Sequence, residues 1–412
     1  MCNFMPQAFD YEKHNAVLQD LVRYNWPVIY ETHDKAMLTY YIGQYLLPAT
    51  IGKIFCSLRI ADICMGLMGI AGMILIYLNL LTITNANKIW QQIVVFLFIF
   101  FFSGMLYPLQ LLLGYMFPEQ MLYPGTDISS VGHLWGLIIG NYQMEYRSFF
   151  TAWQFVSQQM IVPWLCILLF WQYRTDYKYL AMLIIPAYIT SAWVFTGLVF
   201  IVAGWVIAEL IRSKGKCAKE IFSLENILCA IIPGVVISLY YLGNVTGDKP
   251  ESMTIRFDFS SQHLIYYALF CIFMFLIYVF LIEKKYRKDT LFYVVVIELL
   301  LIPLVSHPDF VMCTSLAALF FLSIYIIHFL FDKNKEYKYR KIVLVLCLCI
   351  GARNPVIQFR KAAIHIPYDR FYEISLEENT ERDNPEIGNA MKYNYYTYNP
   401  DNTLFYKYLA RK

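Results

Sequence analysis

Charge is scarce in this sequence. Only 15% of its 412 residues are charged, against roughly 25% in an ordinary soluble domain. Apolar residues make up 59% and aromatics 18%. Such a chain has too little polar surface to cover a core in water, which excludes a soluble enzyme of ordinary type. No cleavable signal peptide is visible, since the chain opens Met1-Cys-Asn-Phe-Met-Pro and turns polar at once. There is no phosphate-cradling glycine loop, GxSxG elbow or HExxH pair, so ATP-driven transport and hydrolase chemistry of those types gain no support. The ten cysteines show no paired zinc spacing. Most, including Cys166, Cys271 and Cys347, lie inside apolar blocks and read as small core hydrophobes. Internal repeats and low-complexity runs are also lacking.

What the sequence has instead is long apolar blocks, such as Ile60–Ile83 and Ile93–Leu106. They match the roughly 20 residues a helix needs to cross a bilayer. The expected fold is therefore all-α, a polytopic transmembrane helical bundle of about ten spans. The segments fall near 60–83, 90–106, 155–172, 179–191, 193–210, 222–242, 262–282, 290–306, 310–331 and 341–352. The pair at 179–210 also reads as one long helix broken near Pro186, but the basic residues favour two spans. Residues 1–59 form an amphipathic first segment, 60–352 the transmembrane domain and 353–412 a small tail.

Orientation follows from the Lys and Arg of the connections. One alternating set of loops holds sixteen, from Lys88 through Arg174, Arg212 and Lys284 to Lys341; the other holds only Arg147, Lys249 and Arg256. The basic set is expected in the cytoplasm, as loop anchors rather than a nucleic-acid surface. Segments 1–59 and 353–412 are then extracytoplasmic parts of a multi-pass cell-membrane protein. Placing the first of these outside with no span before it predicts that a transmembrane helix preceding Met1 is missing from the chain. The long outer connection 107–150, rich in aromatics, suits a segment at the outer leaflet.

The most suggestive stretch for chemistry is Phe9-Asp-Tyr-Glu-Lys-His-Asn-Ala-Val-Leu-Gln-Asp-Leu-Val-Arg23. As a helix it puts Asp10, Lys13 and His14 on one face and Ala16, Val17, Leu21 and Val22 on an apolar side. A carboxylate to take a proton and cations to hold a phosphate are what a site for a phosphorylated lipid requires. A solvated amphipathic helix fits the same spacing. Glu298, inside an apolar segment, needs a partner or a cavity. His307 and Asp309 occupy an outer turn on the same side as Asp10 and read first as local caps. Arg256 and His263 flank another outer connection, reading first as surface charge and second as phosphate contacts. Asp62 and Glu225 read as interfacial. Glu119, Asp127, His133 and Glu145 share the long loop without metal-ligand spacing. No cofactor is called for, a divalent metal being left open.

The order of these features resembles that of bacterial GT-C-type membrane glycosyltransferases and their uncharacterised relatives. Asp10-Tyr-Glu-Lys-His14 with Trp26-Pro-Val is similar to their first-loop segment. The Tyr-rich stretch Tyr40–Lys53 follows it, as in those proteins. Trp153-Gln-Phe-Val-Ser-Gln-Gln-Met-Ile-Val-Pro-Trp-Leu165 is similar to a recurrent Trp/Gln/Trp-Leu stretch. Asp309-Phe-Val-Met-Cys-Thr-Ser-Leu-Ala-Ala-Leu319 looks like an Asp-Phe-x-Met-Arg-x-Ser-x-Pro-Ala-Leu element, with Cys313 in place of the Arg.

The resemblance implies an active site on the outer face, a polyprenyl-phosphate sugar as donor, and a glycan or lipid acceptor. Asp10, or Glu12 beside it, takes the position of the first-loop carboxylate that acts on the acceptor. Lys13, His14 and Arg256 are then candidates for the departing phosphate. Two alternatives stay open: a carrier or flippase for a lipid-linked saccharide with Glu298 lining its pathway, and an inactive, N-terminally truncated relative.

Overall fold

The computed structural model describes residues 10–30, 35–117, 119, 136–139, 142–245, 261–305, 307–365 and 395–410. The described residues begin with α1 (Asp10–Arg23), a hairpin of β1 (Ile29–Tyr30) and β2 (Ala36–Leu38), and α2 (Leu46–Ile54). Helix α3 (Leu58–Thr84) is capped by Ser57, whose hydroxyl accepts the Ile60 N–H, and it ends on Asn85 in the left-handed region. Next come α4 (Ile89–Phe101), α5 (Leu106–Met116) and a hairpin of β3 (Leu137–Ile139) with β4 (Tyr142–Met144). A tight turn at Ser157–Gln159 separates α6 (Phe149–Val156) from α7 (Ile161–Tyr173). The short α8 (Leu180–Ile184) precedes α9 (Ala192–Arg212), α10 (Ala218–Ile221) and α11 (Leu224–Val245). A wide turn at Ile272–Leu276 joins α12 (Ser261–Cys271) to α13 (Ile277–Tyr286). The described residues close with α14 (Thr290–Leu301), α15 (Pro308–Phe331), α16 (Lys338–Gly351), α17 (Arg353–His365), β5 (Tyr396–Tyr398) and α18 (Leu404–Tyr408).

The fold is all-α apart from these few short strands. Among the described residues, 6 helices are long and apolar enough to cross a membrane, or up to 8 if each bent pair is one span. Each expected apolar segment coincides with a helix or a broken helix, but not all reach spanning length. The 90–106 segment continues into the expected outer loop as the pair α4–α5, bent by 45°. Pro108 sits in the first turn of α5, where its missing N–H costs nothing. Segments Tyr177–Ala187 and Thr290–Leu304 are apolar but short, each ending in a tight turn that contains a proline, Pro186 and Pro303. The 179–210 stretch is two segments, Tyr177–Ala187 and Ala192–Arg212, as the split reading expects, but the first is short of spanning length. The 155–172 segment is not one rod: Phe149–Gln159 and Ile161–Tyr173 meet at 98°.

Helix α15 is the axis of the bundle. Its spanning window is 94% buried, whereas the corresponding windows of the other long helices are 17–44% buried. Those helices turn Leu67, Phe200, Ile231 and Phe280 outward, which suits lipid and not water. Against α15 packs an aromatic cluster in which Trp164 stacks on Phe320 at 4.1 Å between centroids and 8° between planes, with Phe149 at 4.6 Å and Trp153 at 5.4 Å.

The two ends of the bundle differ. At one end the basic connections meet: Lys178 pairs with Glu225 at 2.7 Å, Arg212 with Glu209 at 2.6 Å and Lys285 with Asp332 at 2.8 Å. At the other end β1, β2 and β5 form an antiparallel sheet that joins the two ends of the chain, with Met37 opposite Thr397. Thr39 and Thr397 share a hydrogen bond of 2.6 Å beside it, and Tyr240 of α11 bridges Leu38 O and Tyr40 N at 3.1 Å each. We refer to this end as the roof.

Candidate functional site beneath the roof helix

Helix α1 turns both of its faces inward. Ala16, Val17, Leu18 and Leu21 are buried in a small core with Tyr30, Leu38, Tyr45, Ala49 and Tyr396. Lys13, His14, Gln19 and Asp20 are buried as well. Of the polar face predicted from spacing, Lys13 and His14 are described, and both are buried, not solvated. A buried polar face must find hydrogen-bond partners, and the contacts of α1 show where several lie. Tyr30 donates to Asp20 Oδ2 at 2.8 Å.

His14 Nε2 is 3.1 Å from the amide nitrogen of Gln158, and Nδ1 is 3.1 Å from Tyr45 Oη. An amide nitrogen only donates, so Nε2 accepts and the ring proton sits on Nδ1. Burial, with the Lys13 cation beside it, lowers the pKa of His14 from 6.5 to about 4, against an opposing pull from the Phe155 main chain. His14 is thus neutral at physiological pH.

Gln158 and Gln159 reach this position because the chain bends between α6 and α7. The bend turns two polar residues of an otherwise apolar segment towards the roof. Gln159 Oε1 accepts from Ser191 at 2.8 Å, and its side chain hydrogen-bonds the thiol of Cys313. Around Cys313 gather Asp309 of the same helix and the ion pair of Arg147 with Glu145. Tyr41 faces this group: burial first, then Cys313, Tyr40 and Asp309, push its phenol well above the ordinary value. Gln154, one turn before Gln158, accepts from the buried Gln358 of α17 at 2.7 Å. The region is therefore a layer of amides and tyrosines with the Arg147–Glu145 ion pair and Lys13, between the roof and α15, with Asp309 at its exposed edge.

Beside it lies an open apolar groove of about 380 Å³. It runs between Trp26, Pro27, Ile42, Leu46, Val236 and Phe405, with Leu21 of α1 also in its wall.

The residues singled out from sequence distribute as follows. Asp10 and Glu12 lie on α1, with side chains outside the described residues. Arg256, Asp127 and His133 lie outside the described residues altogether, as does the side chain of His263. Lys13, His14, Asp309 and Glu145 belong to the roof end. His307 caps α15, Nδ1 accepting the Phe310 N–H at 3.2 Å. Glu298 is elsewhere, among α9, α14 and α15. Glu225 pairs with Lys178 at the basic end. Sequence reasoning missed Gln154, Gln158, Gln159, Gln358 and Arg147 as site residues. The signal that could have found the first three was three glutamines inside an apolar run. Among the described residues no group of three His, Cys, Asp or Glu side chains is placed to hold a metal ion.

Comparison with known proteins finds no matching protein family, no matching curated protein and no matching solved structure.

Proposed function

We propose that the protein is a membrane glycosyltransferase-like enzyme that moves a sugar from a polyprenyl-phosphate donor to a glycan or lipid acceptor at the roof end. The observation that carries this reading is the inward-turned polar face of α1, set against the glutamine-lined bend and bordered by an apolar groove. A lipid-linked sugar is itself half apolar chain and half hydroxyl-rich head. Neutral amides and tyrosines suit hydroxyl recognition, and the groove offers its wall to an isoprenoid tail.

In this reading the chain crosses the cell membrane about ten times, counting the short segments, with the basic end in the cytoplasm and the roof outside. Asp10, with Glu12 as the alternative, accepts the proton of the attacking hydroxyl. Arg147 and Lys13 answer the charge that develops on the departing phosphate, with Arg256 as a further cation. His14 does not serve as a cation, because its ring is neutral; it holds Gln158 and Tyr45 in place instead.

The test is transfer by the purified protein from radiolabelled polyprenyl-phosphate sugars to extracted glycolipid acceptors. Wild type forms a labelled product, Asp10→Asn lowers the rate at least 100-fold, the usual scale of general-base catalysis, and both insert equally into membranes. Absence of product from every donor, or an unaffected Asp10→Asn protein, refutes the proposal.

A further inference from the structure

Glu298 is placed where a charge has nothing to answer it. It lies on α14, 5% exposed, and neither carboxyl oxygen has a hydrogen-bond partner among the described residues. Gly197 of α9 and Thr314 of α15 face it. A Cβ at Gly197 would stand 2.8 Å from Glu298 Oε1 and 2.4 Å from the main-chain oxygen of Thr314. The carboxyl and the carbonyl therefore border one small gap that exists because residue 197 has no side chain. Thr314 Oγ1 is likewise buried without a partner among the described residues.

Two acceptor oxygens around a gap repel one another unless something positive lies between them. Among the described residues the surrounding elements supply no cation. On α9 the charged residues are Glu209 and Arg212, which pair with each other at the basic end. On α15 they are Asp309 near the roof and His328 near the opposite end, with the thiol of Cys313 one residue before Thr314. On α14 itself the nearest carboxylate is Asp289, at its first turn, which accepts from Tyr325. The phenol of Tyr146 is close, but its proton is given to Leu299 O at 2.7 Å. A carboxylate left ionised in such a place is costly, whereas a carboxylic acid brings its own donor.

We propose that Glu298 is a proton-binding site. The side chain carries a proton and presents it across the Gly197 gap to the Thr314 carbonyl. The bound proton holds α9, α14 and α15 together where α9 and α15 approach at backbone distance. Its loss sets a bare carboxylate against a carbonyl and drives that crossing apart. Because Thr314 follows Cys313, the movement reaches the roof site directly through α15. This proton site stands whether or not the roof transfers sugar.

The experiment is infrared spectroscopy of the purified full-length protein in lipid nanodiscs at pH 7, comparing wild type with Glu298→Gln. The site predicts a carboxylic-acid C=O band, shifted in deuterated water, that is missing from Glu298→Gln. A carboxylate band in its place overturns the proposal, as does conversion to the carboxylate by sodium at fixed pH, which would make this a sodium site. Should Glu298→Gln fail to accumulate, wild type is treated with dicyclohexylcarbodiimide and mapped by mass spectrometry. A protonated carboxyl adds through oxygen to the carbodiimide carbon, its proton passing to nitrogen, and rearranges to a stable N-acylurea. An adduct on Glu298 at pH 7 supports the site, and recovery of the peptide unmodified overturns it.

Discussion

The neutral His14 makes a quantitative prediction about acid. In the folded protein its pKa is lowered from 6.5 to about 4. The unfolded chain therefore binds a proton between those two values that the folded chain refuses. The stabilisation tied to His14 is fully present above pH 6.5, declines as pH falls, and is lost once pH drops through 4. At 1.36 kcal/mol per unit, the full loss is on the order of 3 kcal/mol, about a hundredfold in the folding equilibrium. The physical cause is specific: a second ring proton would point an N–H at the Gln158 amide nitrogen, 3.1 Å away, inside a buried layer that already holds Lys13. Replacing His14 with Gln removes the titration while keeping a polar group of similar reach. The assay is denaturant unfolding of both proteins in bicelles at pH 7.5, 6, 5 and 4.5. Taking the difference between them at each pH cancels carboxylates common to both. The wild type should lose about 2–3 kcal/mol relative to His14→Gln between pH 7.5 and 4.5. A difference that stays constant across this range refutes the assignment of His14 as a buried neutral group.

Other consequences are simpler to read. Gly197→Ala puts a methyl group 2.4 Å from the Thr314 carbonyl oxygen. The overpacking should lower stability by about 1–3 kcal/mol, offset only partly by the better helix propensity of alanine, and thermal unfolding in detergent measures it. Thr397→Val removes the partner that Thr39 meets at 2.6 Å where the C-terminal strand joins the sheet. A cost of about 1 kcal/mol should make proteolysis after residue 395 roughly fivefold faster without changing cleavage at the basic end.

The apolar segments were legible because each helix satisfies its own backbone, so a bilayer-crossing stretch announces itself by composition alone. The ends and breaks were less so. Gln158 and Gln159 sit inside an apolar run, and nothing local distinguishes a straight helix carrying two polar residues from a chain that bends by 98° there. The roof sheet was hidden for a different reason. Its strands are two or three residues long, and Thr39 meets Thr397 across 358 residues of sequence. For α1, spacing shows that Lys13 and His14 share a side of the helix, but not whether that side faces solvent or Gln158. Glu298 was recognisable as a misplaced charge from its apolar neighbours; the glycine and carbonyl opposite come from two other helices and could not be read from its own segment.

The account depends most on the roof lying outside the cytoplasm, and Cys56 tests this directly. It is an exposed thiol at the end of α2, between the roof helix and the first long span. In a Cys2→Ser background, intact cells are treated with a membrane-impermeant maleimide before lysis, with a Cys56→Ser protein as control. Labelling of Cys56 without permeabilisation is the result the account predicts. Labelling that appears only after the membrane is opened would put the roof in the cytoplasm and contradict it.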